Sequence, residues 1–421
     1  MPNDARFLRM SQRDLHRYHT LHLVLEHRLT GAAAAMTLGL SERHVWWLLA
    51  RLRQEGRAAL VHGNRGRPSG RRLAVATQQQ IVALARGPYV GLNTTHLTET
   101  LQAEHGLVIS RATVHRLLRA AGVARPRRRR PPRHRARRPR KPQVGQLVLW
   151  DGSPHAWLET RGPACCLVGA MDDATGAVLP GAQFVPAEDT VSYLRLLRTL
   201  VGDCGIPLAL YMDRHGIFRR NDAGWTRAEE LQGYQEPTQV GRAIAALGIE
   251  AIYALSPQAK GRIERLWSTL QDRLVAELRL AGLTTLAGAT AFLPGFALRF
   301  NARFAQPSAD PTPAWRPVPR GLDLDRICSL YTAATVLNDN TVRLQGTVLQ
   351  IPPGPGGRGY TKARVEVRQL LDGSWRVYHG ERLIATAAPL AGAPPAAPSA
   401  AAAWRRAVTG RPGTLRQLLN S

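Results

Sequence analysis

The 421-residue chain is poor in cysteine and has no long apolar run, and each shortage excludes a class of protein. Its four cysteines form no CxxC pair, which disfavours a zinc ribbon or a disulfide framework and is typical of buried thiols in a reducing compartment. No apolar run is long enough to span a membrane, and the first residues lack the apolar core of a signal peptide. We therefore expect a soluble cytoplasmic protein with no membrane partner.

Acidic residues are scarce as well, with 30 Asp and Glu against 57 Lys and Arg and a formal net charge of +27. Such an excess predicts a polyanionic partner, and nucleic acid is the first candidate. Residues 1–145 hold 28 of the basic residues and only 7 of the acidic ones, so the N-terminal part is the expected DNA-binding part. Nearly all the basic residues are Arg, which binds phosphate through a bidentate fork, although a GC-rich coding bias would produce the same excess.

The length exceeds what one compact core accommodates, so several domains are expected. Composition and periodicity place the boundaries as follows: a first helix-turn-helix domain at 1–60, a basic Gly/Arg/Pro linker at 61–72, a second helix-turn-helix domain at 73–124, an Arg/Pro-rich tether at 125–144, an α/β core at 145–312, a small all-β barrel at 313–392 and a low-complexity tail at 393–421.

Two N-terminal segments have the layout of helix-turn-helix units. In the first, a small-residue helix at 31–37 is followed by a turn and by a helix that Ser41 caps, with Arg43 and Arg51 on the face away from the apolar positions. In the second, helices at 77–85 and from Asn93 or Thr94 to 105 precede a helix that Ser110 caps, with Arg111 and Arg116 facing outward. Ordinary helical hairpins are the alternative, but two tandem units suit a site spread over two DNA turns.

Two basic segments flank the second unit and predict further DNA contacts. The linker at 62–72, HGNRGRPSGRR, includes Arg67 and is similar to segments that lie in minor grooves. Residues 125–141, which include Arg128 and Arg129, carry eleven Arg or Lys, several prolines and no acid. Self-repulsion and proline prevent a packed element there, so we expect it to follow DNA phosphates rather than to act only as a solubilising linker.

The core reads as strands and helices in the order β-β-β-α-β-α-β-α, which predicts a mixed sheet with helices on its faces, typical of a ribonuclease-H-like fold. One strand is expected to end at Asp151 and another, PLALYMD, at Asp213. A hairpin lies between them, and residues 214–240 are polar without a clear period. After a strand at 249–255, a long amphipathic helix begins close to Glu264.

Three carboxylates, Asp151, Asp213 and Glu264, are expected to meet at one edge of that sheet. Their mutual repulsion would be relieved by a bound dication, and oxygen ligands select Mg²⁺ or Mn²⁺. Two such ions would clamp the attacking and leaving oxygens of a phosphoryl displacement. The alternative for Glu264 is a simple helix-terminus role. We interpret Asp172 and Asp173 as turn formers rather than metal ligands.

The segments WDGSPHAWLE, MDDATG, YMDRHGIF and SPQAKGRIERLWSTLQDRL resemble the catalytic core of the DDE transposases of bacterial insertion sequences. The catalytic core of these enzymes is related to that of retroviral integrase. The resemblance is closest to the ISNCY-type group of these transposases and covers residues 21–388. It implies that Asp151, Asp213 and Glu264 are the catalytic, metal-binding triad and that a barrel follows the core. The separation of 51 positions from Asp213 to Glu264 exceeds the spacing typical of integrases. Lys260 and Arg262, which lead into Glu264, are expected to contact DNA.

The resemblance predicts a nucleoid-associated DNA transposase. It would bind the terminal inverted repeats of its element in double-stranded DNA, cleave the 3′ ends and transfer them into target DNA with two Mg²⁺ ions. Because both element ends must be held together, a homo-oligomer of at least two copies is expected. Two alternatives stay open, namely a catalytically silent DNA-binding regulator and a ribonuclease-H-type nuclease that cuts without joining.

Overall fold

The computed structural model describes residues 10–60, 72–123, 138–220, 224–225, 227–233, 235–254, 261–344 and 347–389. The chain divides into two compact units, residues 1–79 and 80–421. Across the described ranges, no helix is both long and apolar enough to cross a membrane.

The first unit contains the predicted helix-turn-helix. Its helices are α1 (Gln12–Leu25), α2 (Gly31–Leu38) and α3 (Glu42–Glu55). The turn between α2 and α3 passes through Gly39, whose φ of +62° lies in the left-handed region that favours glycine. Ser41 caps α3, since its hydroxyl accepts a hydrogen bond from the amide of His44 at 3.3 Å. The inner face of α3 is buried as its apolar period predicts, through Val45, Leu48, Leu49 and Leu52.

A second set of three helices follows, as predicted: α4 (Val75–Arg86), α5 (Thr94–His105) and α6 (Arg111–Ala120). The Asn93 side chain caps α5 by accepting bonds from two backbone amides, each at 2.9 Å. Ser110 caps α6 in the same way, with its hydroxyl 3.3 Å from the amide of Thr113. Ser110 is the cap expected from the sequence, and Asn93 is one of the two expected candidates for α5. An Asn or Ser side chain suits this position because it satisfies amides that a helix start leaves unpaired.

The predicted mixed sheet is confirmed. Its strands are β1 (Leu147–His155), β2 (Cys165–Asp172), β3 (Gln183–Val185), β4 (Ala209–Met212) and β5 (Glu250–Tyr253). They lie in the order β3-β2-β1-β4-β5. Strand β2 is antiparallel to β1 and β3, whereas β4 runs parallel to both β1 and β5.

Two details of the core differ from the expectation. Strand β1 does not end at Asp151 but continues to His155, because β2 pairs with it along its whole length, from Val148 opposite Asp172 to His155 opposite Cys165. The polar segment 214–240 is not wholly irregular, since it contains the short helix α8 (Arg227–Gln232).

Helices cover both faces of the sheet and enclose two apolar cores. One face is covered by α7 (Thr190–Cys204) and α9 (Gln239–Ala246), the other by α10 (Ile263–Leu280) and α11 (Leu286–Phe304). Side chains alternate along β1, so Trp150 packs in the α7 and α9 core while Leu149 packs in the α10 and α11 core. Each fully buried Leu in these cores contributes about 2 kcal/mol by leaving water.

Helix α10 also contacts the second helix-turn-helix unit. The side-chain amide of Asn93 donates a hydrogen bond to the carboxylate of Asp272 at 2.5 Å, and Arg273 forms an ion pair with Glu99 at 2.7 Å. Further along the helix, the ring of the buried His96 lies 3.5 Å from a carboxylate oxygen of Glu277. One helix therefore carries Glu264 at its start and packs against the second helix-turn-helix unit farther along.

The described residues of the C-terminal part are mostly β-strands, with the short helix α12 (Leu324–Ile327) and a 3₁₀ helix at Pro355–Gly357. Its strands are β6 (Leu330–Thr335), β7 (Thr341–Leu344), β8 (Thr347–Gln350), β9 (Arg364–Gln369), β10 (Trp375–His379) and β11 (Arg382–Ala387). The predicted barrel is not closed. The described strands form a four-stranded sheet, β11-β10-β9-β6, and a separate β7-β8 ribbon, because β6 and β11 remain edges. The tail at 393–421 lies outside the described residues.

Candidate active site

Asp151 and Asp213 occupy matching positions on neighbouring strands. The last residues paired between β1 and β4 are Leu149 and Tyr211, and the same parallel register extended by two residues places Asp151 opposite Asp213. Leu149 and Tyr211 both pack in the core beneath α10 and α11. Because side chains alternate along a strand, both aspartates belong to that same face of the sheet. The predicted pairing of these two carboxylates is therefore supported by register.

Glu264 lies in the first turn of α10, where its side chain is exposed. Two hydrogen bonds fix the helix to β1. The indole nitrogen of Trp267 donates to Asp151 Oδ2 at 3.0 Å, and the side-chain amide of Gln271 donates to Ser153 Oγ at 3.1 Å. Trp267 is three residues after Glu264, so both side chains occupy neighbouring positions on the helix surface. The N-terminal part of α10 is thus joined to Asp151 through Trp267.

The three carboxylates share one region without forming a compact ligand cluster. Within the described residues, no three His, Cys, Asp or Glu side chains are grouped closely enough to hold a metal ion. Asp213 is engaged in its own turn, where its Oδ1 accepts a bond from the amide of His215 at 2.9 Å. Asp151 is engaged with Trp267. The metal-binding role of Asp151, Asp213 and Glu264 stays a prediction.

Glu188 is a further carboxylate beside β1 that the sequence did not indicate. It lies over Gly152, where a Cβ atom would fall 2.2 Å from the Glu188 carboxyl carbon, so only glycine leaves room for this side chain. The hydroxyl of Tyr193 donates to Glu188 Oε2 at 2.6 Å and fixes its direction. The only available signal was an acidic residue directly before Asp189, which caps α7.

The surroundings of Glu188 keep its neighbours uncharged. Burial, followed by the nearby Glu188 carboxylate, raises the pKa of the Cys166 thiol to about 12. Burial also raises the pKa of Tyr193, with Glu188 and Asp151 adding to the effect. Tyr193 therefore stays a hydrogen-bond donor, and Cys166 is a poor nucleophile at neutral pH.

An open cavity of about 390 Å³ adjoins this end of β1. His155, Cys166 and Glu188 contribute to its lining. The His155 side chain is exposed enough to face the cavity, yet partial burial lowers its pKa, so the ring is mostly neutral at pH 7. The cavity therefore adjoins the last residues of β1, from Pro154 to His155, and Asp151 is not part of its lining.

The hydrogen bonds of Asp172 agree with its interpretation as a turn-forming residue. It is fully buried, and its carboxylate accepts bonds from the amides of Gly145 and Thr175 at 2.9 and 2.8 Å. Asp173 is equally buried and is bonded to the amide of Lys141 at 2.8 Å and to the guanidinium of Arg262. Trp157 and Trp267 are both buried, as expected for core residues.

The predicted DNA contacts of the helix-turn-helix units lie on helix surfaces. Arg43 is exposed in α3, and Arg111 and Arg116 are exposed in α6. The guanidinium of Arg51 already has a partner, because it donates two hydrogen bonds to the carboxylate of Glu55 at 2.6 and 3.1 Å. These four residues keep their proposed DNA-contact role as a prediction.

The remaining predicted contacts divide into two groups. Arg262 is mostly buried and paired with Asp173, so its guanidinium already has a partner within the chain. The other four lie outside the described residues: Arg67, Arg128, Arg129 and Lys260.

Comparisons with known proteins identify one domain family and two transposases that are similar to this chain. Residues 45–118, which include most of α3, all of α4 and α5 and most of α6, match the Homeodomain-like domain family. Over 296 residues the chain is 39% identical to the putative transposase y4bF of Sinorhizobium fredii, an alignment that covers 70% of this chain. Over 411 residues it is 28% identical to the transposase for insertion sequence IS1202 of Streptococcus pneumoniae, covering 87% of this chain and 86% of that protein. The chain is therefore similar to proteins named as transposases, one of them the transposase of an insertion sequence.

The extent of these likenesses differs. The chain spans 63% of the length of the y4bF protein. Among solved structures, a cryo-electron microscopy structure of the simian T-cell lymphotropic virus intasome in complex with the PP2A regulatory subunit B56 gamma matches with a TM-score of 0.30 and 13% identity, covering 74% of this chain and 100% of that chain. A likeness at that level decides neither fold nor function.

Proposed function

We propose that this protein is a DNA transposase of the DDE type, with a ribonuclease-H-like catalytic core. It would cleave the 3′ ends of its element and transfer them into target DNA. The observation that carries the proposal is the hydrogen bond from Trp267 to Asp151, which brings the first turn of α10, with Glu264, to the strand pair that bears Asp151 and Asp213. The sheet order β3-β2-β1-β4-β5, with the first three strands antiparallel, supports the ribonuclease-H-like assignment.

The three carboxylates fit a divalent metal site by their chemistry. Asp151, Asp213 and Glu264 offer only oxygen ligands, which are the ligands that Mg²⁺ and Mn²⁺ prefer. These residues would hold the ions, and the bound ions would stabilise charge on the phosphate undergoing displacement. Because the described carboxylates form no ready ligand cluster, metal binding would complete the site rather than fill a preformed one.

The chain's own groups have distinct roles in this proposal. Trp267 orients Asp151 through the indole N–H. The turn after β4 orients Asp213, whose carboxylate accepts the amide of His215. Glu264 is exposed at the helix start and would complete the metal-binding set from there. The nearby thiol of Cys166 is protonated at neutral pH, so a covalent cysteine intermediate is not part of the reaction.

DNA binding would come from the N-terminal helices and the basic segments. The Homeodomain-like match covers most of α3 and nearly all of the second helix-turn-helix unit, and the relatives' names make DNA the expected partner. Arg43, Arg111 and Arg116 would contact DNA from exposed helix faces, while the Arg-rich tether would bind phosphates without sequence preference. We further propose that the active assembly contains at least two copies of the chain, since two element ends must be joined.

A cleavage and joining assay tests the proposal. A labelled double-stranded DNA end taken from beside the gene is incubated with wild type or Glu264→Gln, with Mg²⁺ or with EDTA, and binding is measured in parallel. We expect nicked and joined products only from wild type with Mg²⁺, while both proteins bind the end equally. Glu250→Gln is the matched control, because Glu250 is an exposed carboxylate on β5 with no part in the proposed site.

The outcomes separate the proposed transposase from its two alternatives. Tight binding without cleavage under any metal indicates a DNA-binding regulator. Cleavage without joined product indicates a ribonuclease-H-type nuclease. Equal activity of Glu264→Gln and wild type contradicts the assignment of Glu264.

A further inference from the structure

Asp173 is a fully buried carboxylate on the turn after β2, where three segments of the chain meet. Its carboxylate accepts bonds from the amide of Lys141 at 2.8 Å and from Arg138 Nη2 at 2.7 Å. It also accepts a bond from the guanidinium of Arg262. A fourth bond runs from Arg140 Nη1 to the backbone carbonyl of Asp173 at 2.8 Å. One carboxylate thus joins the turn after β2, residues 138–141 and the residue that precedes α10.

Two of these segments are functionally distinct. Residues 138–141 are the C-terminal end of the Arg-rich stretch 125–141. Arg262 directly precedes α10 and is two residues before Glu264. The Arg262 guanidinium bridges them, because it donates both to Asp173 and to the backbone carbonyl of Arg138.

Helix α10 lacks the side-chain cap that fixes the starts of α3, α5 and α6. Its N-cap residue is Arg262, which has helical φ and ψ of −85° and −49° and makes no side-chain capping bond. The bond from Arg262 to Asp173 lies at this uncapped start, whereas the bonds from Trp267 and Gln271 to β1 lie farther along. Arg262 is therefore the residue at which a side-chain bond joins the start of α10 to the turn after β2, next to the buried Ile263 of the first turn.

Charge makes this junction sensitive to the loss of a single group. Burial alone would raise the pKa of Asp173, but hydrogen bonds from the Lys141 amide, Arg262 and Arg138 outweigh it and lower the pKa. Two guanidinium groups, those of Arg138 and Arg262, share this one carboxylate. Without its negative charge they would repel each other, and the contact between the tether end and α10 would be lost.

We propose that Asp173 is a positioning residue that, through Arg262, fixes the first turn of α10 and hence Glu264 to the end of the basic tether. The inference rests on the proposed function in so far as Glu264 takes part in strand cleavage. It adds that DNA bound along the tether is connected to the active site through two residues, Asp173 and Arg262.

Asp173→Asn tests the proposal, because it removes the charge and keeps the size. Hydrogen exchange followed by mass spectrometry should show faster exchange in the first turn of α10, with the exchange of α5 and α6 unchanged. Cleavage of an already bound DNA end should slow by about 100-fold, since a small misplacement of a catalytic group has that effect. The affinity for the DNA end should stay at the wild-type value.

Asp172→Asn is the matched control. Asp172 is equally buried and adjacent, but its carboxylate is bonded to Gly145 and Thr175 and not to Arg262. This variant should speed exchange in the turn after β2 and leave the first turn of α10 as in wild type. If both variants change α10 alike, the effect is a general loss of stability and the proposal is wrong.

A double-mutant cycle with Arg262→Gln supplies an independent readout. If Arg262 acts through Asp173, the double variant should cleave no more slowly than the worse single variant, whereas Asp172→Asn and Arg262→Gln should be additive. Arg262→Gln also keeps the test decisive if Asp173→Asn does not fold, because it should produce the same faster exchange in α10.

Other results would overturn the proposal or its premise separately. If Arg262→Gln weakens DNA binding and leaves α10 exchange unchanged, Arg262 is a DNA contact and the junction has no positioning role. If wild type never cleaves the DNA end, the proposed function fails, while the exchange pattern still decides whether Asp173 positions α10.

Discussion

Trp267→Phe removes the hydrogen bond between α10 and Asp151 while keeping an aromatic ring in the core. The indole nitrogen donates to Asp151 Oδ2 at 3.0 Å, and the Trp267 side chain is only 6% exposed, so water does not readily replace the bond. A hydrogen bond to a charged group contributes about 1.5–3 kcal/mol. If that bond orients Asp151 for the reaction, its loss should slow strand cleavage by about 10- to 100-fold.

Trp157→Phe separates this effect from a loss of packing. Trp157 lies in the same apolar core, is fully buried, and its indole nitrogen donates to the Ser153 backbone carbonyl at 2.8 Å. The two substitutions remove the same volume and one indole bond each. Both should lower the free energy of unfolding, but only Trp267→Phe should slow cleavage.

The assay is single-turnover cleavage of a labelled DNA end at saturating protein, at a temperature where both variants are fully folded. DNA affinity is measured on the same preparations and should not change. Two results would refute the reasoning: wild-type cleavage by Trp267→Phe, or equal slowing by Trp157→Phe.

Three further predictions follow from the surroundings of the site. Gly152→Ala should lower the free energy of unfolding in urea by about 1–3 kcal/mol, because its Cβ would displace the Glu188 carboxyl; adding Glu188→Ala should restore much of the loss, and no recovery would contradict the contact. At pH 8, Cys166 should react with iodoacetamide on the order of 1000-fold more slowly in the native protein than in urea, since its native pKa is about 12; equal rates by peptide mapping would contradict its burial. Asp173→Asn should lower the free energy of unfolding by about 3 kcal/mol at neutral pH. Because the pKa of Asp173 is lowered in the folded protein, this difference between wild type and variant should persist above the ordinary carboxyl pKa and shrink as the pH falls below about 4. Urea unfolding at several pH values measures the difference. A difference that does not change with pH would be inconsistent with a charged Asp173.

Local signals predicted the helices and most of the sheet. Ser41 and Ser110 were recognisable as caps, and Asn93 as one of two candidates, because each precedes a periodic apolar pattern. Each of these side chains accepts a hydrogen bond from a backbone amide of the helix start. Asp213 follows a short apolar strand, and the structure places it directly after β4. These features depend on neighbouring residues and are therefore present in the sequence.

The end of β1 was missed because its residues are poor strand formers. Gly152 and Pro154 both disfavour a regular strand, so the sequence indicated an end at Asp151. Pairing with β2 overrides that preference, and Pro154 is tolerated because β4 pairs only with the first part of β1. In the C-terminal part, alternation predicted the strands, but closure depends on which edges pair, and that is not encoded in alternation.

The contacts that define the site connect residues far apart in sequence. Trp267 and Asp151 are 116 residues apart, and Arg262 and Asp173 are 89 apart. Spacing alone indicates neither pair, because each side chain has an ordinary local role as a helix residue or turn residue. The sequence predicted the three carboxylates, whereas their supporting partners required the fold.

Iron-directed cleavage of the protein tests most directly whether Asp151, Asp213 and Glu264 bind metal together. With Fe²⁺ in place of Mg²⁺, added ascorbate and peroxide cut the backbone next to the bound ion. We predict fragments ending close to all three residues, suppressed by excess Mg²⁺ and absent in Asp151→Asn. Cuts confined to other segments, or three cuts that persist in Asp151→Asn, would contradict a shared metal site.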